Sequence, residues 1–148
     1  MKKSMAAIKT TDSGAGGLRP CKRYITTHDR QGRSVYADSP DQIFNVVPGV
    51  GGMARSYAVG SVPAVLQDEA DIDAYKAGDS SSTSYKRREI VPPQPGANLL
   101  VVDIEPGGIS MMHRTLSVDF SICVIGEIDH DLDGGEKVRL YPGVSNKG

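Results

Sequence analysis

The stretch from Glu105 to Leu140, EPGGISMMHRTLSVDFSICVIGEIDHDLDGGEKVRL, limits the fold more than any other part of this chain. From Met111 to Ile125 the side chains alternate with period two, the mark of a strand with two unlike faces. His113, Thr115, Ser117 and Asp119 fall on one face, and Met112, Arg114, Leu116, Val118 and Phe120 on the other. Gly126-Glu127 ends that strand. Asp131 to Glu136 (DLDGGE) is a tight hairpin turn, and Lys137 to Leu140 is predicted to return as the second strand. The polar row reads two ways. It is the solvated face of an antiparallel sheet, or the lining of a cavity inside a small barrel.

The rest of the chain favours short strands too. Its 148 residues suit one domain, and 17 Gly with 9 Pro make turns too frequent for long helices. Arg23 to Thr27 and Ser34 to Ala37 read as a hairpin around His28-Asp29-Arg30-Gln31-Gly32, which places His28 at a strand end. Asp41 to Val47 is a further short strand, which Pro48 to Gly52 is expected to break. That glycine cluster lacks the Gly-Lys-Ser/Thr of a phosphate loop. Ala54 to Leu66 reads as extended, at a sheet edge or bent because of Pro63. Asp68 to Tyr75 suits a short helix, its carboxylates a solvated face rather than a calcium loop. Lys76 to Glu89 is a polar loop, Pro92 to Gly96 a stiff bend, and Leu99 to Ile104 a continuous apolar strand.

Charge excludes some partners. With 17 Lys+Arg against 18 Asp+Glu, and only the triplet Lys86-Arg87-Arg88 as a basic run, neither nucleic acid nor an anionic membrane surface is expected. Residues 1–20 are polar and Gly-rich and read as a disordered N-terminal tail, without the apolar core of a secretory signal. No apolar run reaches the ~20 residues of a membrane helix. Cys21 and Cys123 have no partner at a metal-site spacing and read as reduced thiols, so a cytoplasmic protein is expected.

The spacing Gly107, five residues, His113, one residue, Thr115, three residues, Asp119, six residues, Gly126 resembles the first motif of the cupin superfamily, G-x5-H-x-H-x3/4-E-x6-G. The following LDGGEKVRLYPG resembles the hairpin that leads to the second cupin motif. The resemblance covers Val101 to Gly143 and is nearest to small single-domain cupins of fungi and bacteria, some of them in secondary metabolism. It implies an all-β, cupin-type jelly-roll β-barrel (a double-stranded β-helix), with 21–98 as flanking strands and loops and 99–143 as the motif-one core. It also implies a small-molecule ligand and a homodimer as partners.

The departures bear on chemistry. The family's metal site uses two histidines and a glutamate from the first motif and a histidine from the second. Here His113 keeps the first histidine position, Thr115 replaces the second, and Asp119 replaces the glutamate. The resemblance therefore implies a divalent metal (Fe, Mn, Ni or Zn) on His113 and Asp119, or else a metal-free polar pair in the pocket. His113 and Asp119 are the expected catalytic pair, the carboxylate orienting or charging the imidazole for proton transfer or oxidoreduction. Met111, Thr115 and Ser117 are the expected substrate contacts. Arg114 is expected to point away from His113, and Cys123 to be a small buried residue. Residues 144–148 (VSNKG) read as a foreign tail where the family continues into its second motif. Val144-Ser145 can be encoded GTAAGT, a favoured intron start, so a truncated product with an incomplete barrel is expected. A non-catalytic binding cupin and an inactive fragment are the alternatives to an enzyme.

Overall fold

The computed structural model describes residues 9–11, 17–91 and 95–148. Within them the chain is all-β with one short helix: ten strands and α1 (Ala70–Lys76). It divides into two compact units, residues 1–109 and 110–148.

The first unit is built on β5 (Gly51–Val59), which is buried along most of its length. β5 lies between β4 (Phe44–Val47) and β6 (Ala97–Ile104) in an antiparallel sheet, with β1 (Lys9–Thr11) beyond β4. The strand thus starts three residues earlier than Ala54, and Gly51 and Gly52 join the ladder instead of breaking it. Only glycine serves at Gly51: φ is +146°, and any Cβ would collide with the Asp103 carbonyl oxygen of β6. β5 is central, so the edge expected from Pro63 does not apply to it; Pro63 lies beyond the end of the strand. Of the expected tail, Lys9–Thr11 is a strand, pairing with the otherwise open edge of β4. Residues 1–8 and 12–16 lie outside the described residues, as do 92–94 of the proline bend.

Between Arg55 and Tyr57 the β5–β6 register shifts by one residue, a bulge at Ser56. A bulge takes backbone groups out of the ladder, and here side chains answer them. The Tyr75 hydroxyl of α1 donates to the Arg55 carbonyl at 2.9 Å, and Arg23 Nη1 donates to the Ser56 carbonyl at 2.8 Å. Arg23 also bonds the Tyr75 hydroxyl, and its guanidinium stands 4.9 Å from that ring's centroid. Ile25, Ile72 and Tyr75 form the small core that binds α1, with Ala37, Tyr57 and Tyr85 against it. The Tyr57 hydroxyl donates to Asp71 at 2.6 Å; burial first, and that bond second, hold it protonated well above the usual tyrosine range. The expected hairpin is present as β2 (Thr26–His28) and β3 (Ser34–Tyr36), with His28 at the strand end and exposed.

The second unit holds two separate two-stranded pairs. β7 (Phe120–Ile122) pairs with β10 (Ser145–Lys147), so residues 145–147 are a strand of this unit. β8 (Ile128–Asp131) and β9 (Lys137–Leu140) form the hairpin expected around DLDGGE, closed by Leu132 N–H to the Glu136 carbonyl at 2.9 Å. Cys123 is buried, as expected, with its backbone paired to Val144 and Gly143. Both cysteines are free thiols.

Charged pairs lock the β8–β9 register. Asp129 faces Arg139, whose Nε and Nη2 donate to its two carboxylate oxygens at 2.7 and 3.0 Å. Lys137 lies 3.5 Å from Asp129 and 3.3 Å from Asp131. The Arg139 bonds hold the Asp129 carboxyl below its ordinary 3.8. A depressed carboxylate stabilises above its unfolded value, and the contribution disappears as pH falls through the lower folded value. Cross-strand proton contacts between Asp129 and Arg139 in NMR are therefore expected to persist at neutral pH and to weaken below pH 3.8. Added salt should weaken them too, since the pair is exposed.

Candidate functional site

Residues 110–119 carry no regular secondary structure, and the strand expected from Met111 to Ile125 is confined to Phe120–Ile122. A strand needs a partner to enforce its pleat; among the described residues no strand pairs with 111–118, and Asp119 is paired only with Gly148. Every expected site residue lies in this segment. Met111, His113 and Thr115 are exposed, while Ser117 and Asp119 are half-buried.

His113 Nδ1 lies 2.8 Å from the Met111 carbonyl oxygen. A carbonyl can only accept, so in the neutral ring the proton sits on Nδ1 and the Nε2 lone pair is free. The imidazole is thus oriented by the backbone two residues upstream. No hydrogen bond or ion pair joins it to Asp119, whose backbone N–H and carbonyl instead pair with Gly148 at 3.3 and 2.9 Å. Thr115 Oγ1 donates to the Ser117 carbonyl at 3.3 Å. Ser117 Oγ is shut off from solvent without a partner.

A cleft of about 490 Å³ is lined by Met112, His113, Arg114, Leu132 and Asp133. It lies between the 112–114 segment and the β8–β9 turn. Arg114 thus shares the histidine's cleft instead of pointing away, because strand parity does not govern an unpaired segment. Its guanidinium bonds Asp133 at 3.2 Å through Nη2, and its other N–H donors have no partner among the described residues. The side chains of this pair are 91% and 67% exposed, so the bond adds little stability and leaves Arg114 open to a ligand. Neither Arg114 nor Asp133 was legible as a site residue. Asp133 reads as turn chemistry, and nothing in the spacing joins it to His113.

No family model matches the chain. It is 38% identical over 139 residues to phomopsin biosynthesis cluster protein D of Diaporthe leptostromiformis, covering 91% of this chain and 69% of that protein. Phomopsin biosynthesis cluster protein C' of the same fungus is 36% identical over 140 residues, with the same coverage. A cupin-domain-containing oxidoreductase of Neurospora crassa is 32% identical over 135 residues, covering 90% of this chain and 64% of its own length. The chain belongs to the cupin superfamily. The all-β content, with one short helix, is that of the cupin jelly roll.

The family implies a metal, and the donor set of this cupin does not fit one. His113 and Asp119 are two donors with Thr115 between them, and no three His, Cys, Asp or Glu groups come together among the described residues. Transition-metal sites draw on three or four such ligands. Iron, manganese, nickel or zinc would find too few here. What His113, Arg114 and Asp133 can themselves supply is acid–base and electrostatic chemistry. Among the described residues no helix is long and apolar enough to cross a membrane.

Proposed function

We propose that this cupin is an enzyme of secondary metabolism that moves a proton on a small organic molecule at His113. One observation carries the reading: the Met111 carbonyl holds Nδ1, which leaves the Nε2 lone pair free to act as a base. The names of the relatives support the setting, since they belong to biosynthesis clusters and to cupin-domain oxidoreductases.

His113 Nε2 takes a proton from a carbon next to a carbonyl, and the electron pair moves onto the carbonyl oxygen. Arg114 supplies N–H donors to that developing oxyanion, and Asp133 holds the guanidinium in place. Met112 and Leu132 contact the apolar part of the molecule. Return of the proton to a different atom gives isomerisation; loss of a β-hydroxyl, with the proton supplied by the imidazolium, gives dehydration. Met111, Thr115 and Ser117 lie in the same segment as further substrate contacts, with Asp119 as a second carboxylate of the site.

A panel of enolisable ketones in D2O, followed by NMR, tests this. The unaltered chain is expected to catalyse α-proton exchange on some of them. His113→Ala should lower the rate by about 10²-fold or more, with partial rescue by added imidazole and an unchanged melting curve. An exchange rate insensitive to the histidine would refute the assignment.

A further inference from the structure

The cleft that holds His113 also holds an arginine that is almost bare and only partly used. The Arg114 side chain is 91% exposed and gives one bond to Asp133, at 3.2 Å through Nη2. A planar guanidinium presents its N–H donors as adjacent pairs along its edges. A single bond through Nη2 leaves one edge whole, whichever Nη2 hydrogen it uses. Such an edge takes two acceptor oxygens that lie side by side.

That exposure limits what can be held. A neutral carbonyl that accepts from an exposed N–H exchanges a bond to water for a bond to protein, and the net gain is small. An anion on an arginine edge gains charge-assisted, paired bonds, which hold better in open water. Proton transfer at His113 also sends charge onto a carbonyl oxygen, which needs a donor of its own. One edge meets both demands if a carboxylate and the carbonyl sit on neighbouring carbons.

We propose that the site takes α-keto acids with a single carboxylate and an apolar chain, a choice of substrate that rests on the proton transfer at His113. A carboxylate oxygen and the keto oxygen lie together on the free edge of Arg114. His113 Nε2 takes a proton from the carbon beyond the keto group. The C–H electron pair becomes the carbon–carbon double bond of the enolate, and the carbonyl π pair moves onto the keto oxygen, beside the guanidinium. Return of a proton from the imidazolium to the same carbon exchanges its hydrogen with solvent, and nothing is oxidised or lost. Met112 and Leu132 line the cleft for the apolar chain. Asp133 lines it too, so a second carboxylate on the ligand meets a like charge.

Exchange is followed by proton NMR in D2O with the full chain, on α-ketoisocaproate, its methyl ester, methyl isobutyl ketone and α-ketoglutarate, each corrected for the rate without protein. Binding is read separately, by saturation transfer from protein to ligand. α-Ketoisocaproate is expected to exchange with a kcat/KM at least about tenfold above that of the other compounds. Arg114→Gln should weaken its binding by at least about tenfold, whereas His113→Ala should stop exchange and leave saturation transfer in place. Exchange of the neutral ketone or the ester as fast as that of the acid would overturn the choice of substrate and leave the proton transfer at His113 standing. Binding of the acid with no exchange on any compound would overturn both. Undiminished binding of the acid to Arg114→Gln would overturn the role of the arginine edge; if that variant does not fold, the ligand series on the unaltered chain decides.

Discussion

Gly51→Ala is expected to destabilise the first unit by about 4 kcal/mol, from the combined cost of a disfavoured φ and a backbone clash. For a unit of this size that lowers the melting midpoint by about 15 °C or more. The cause is local and specific. Gly51 faces Ile104 across the β5–β6 ladder, and a Cβ there would overlap the Asp103 carbonyl oxygen and crowd Ile104 Cα. Both obstacles are backbone, so neither can rotate aside. Gly52, the next residue, is the internal control. A Cβ at Gly52 would meet chiefly the Val46 Cγ2 methyl at 3.3 Å, a side-chain atom that can shift. Thermal melts of Gly51→Ala and Gly52→Ala should therefore differ widely. Similar midpoints would show that the close approach of β5 and β6 is not what requires glycine.

Arg55→Met is expected to cost about 3 kcal/mol, because it removes a buried charged donor group from three backbone carbonyls at once, that of buried Ser84 among them. Arg55 is only 3% exposed although it is charged. Its Nη1 donates to the Ser82 and Ser84 carbonyls at 2.9 and 3.1 Å, and Nη2 to the Glu89 carbonyl. These bonds tie the polar 81–89 segment onto β5 at the bulge. Burial lowers the pKa of the guanidinium and the nearby Glu89 carboxylate partly offsets this, so the charge persists at the cost of desolvation. Methionine fills similar volume and answers none of the carbonyls. The near-ultraviolet signal of the tyrosines checks it, since Tyr57, Tyr75 and Tyr85 pack in this region and the chain has no Trp. Loss of that signal ahead of the far-ultraviolet signal is the expected result. Coincident, unshifted transitions would show that the 81–89 segment does not depend on Arg55.

The reach of sequence reading differed between elements for physical reasons. The β2–β3 and β8–β9 hairpins were legible because turn residues and alternating strands act within a few positions of each other. The short helix was legible for the same reason, with acidic residues at its start and Ile72 and Tyr75 on its buried face. Alternation misled in the 111–125 stretch. Leu116, Val118, Phe120, Ile122 and Val124 repeat with period two, yet all of them are exposed and only 120–122 is a strand. Alternation records what a chain could bury, while a ladder requires a partner. Pro63 misled about β5 because it lies just past the strand, and a sequence pattern places element ends poorly.

The candidate site divides along the same line. The spacing from Gly107 to Gly126 was enough to place the chain among the cupins, and the departures at Thr115 and Asp119 left two readings, a metal on His113 and Asp119 or a metal-free polar pair. Those are statements about residue type and order, which a sequence carries completely. Which atom holds the His113 proton, and that Arg114 and Asp133 share its cleft, depended on tertiary structure. So did the capping of the β5 bulge by Tyr75 and Arg23. Each of these is set by where distant or unpaired backbone comes to rest, and no periodicity in the chain encodes that position.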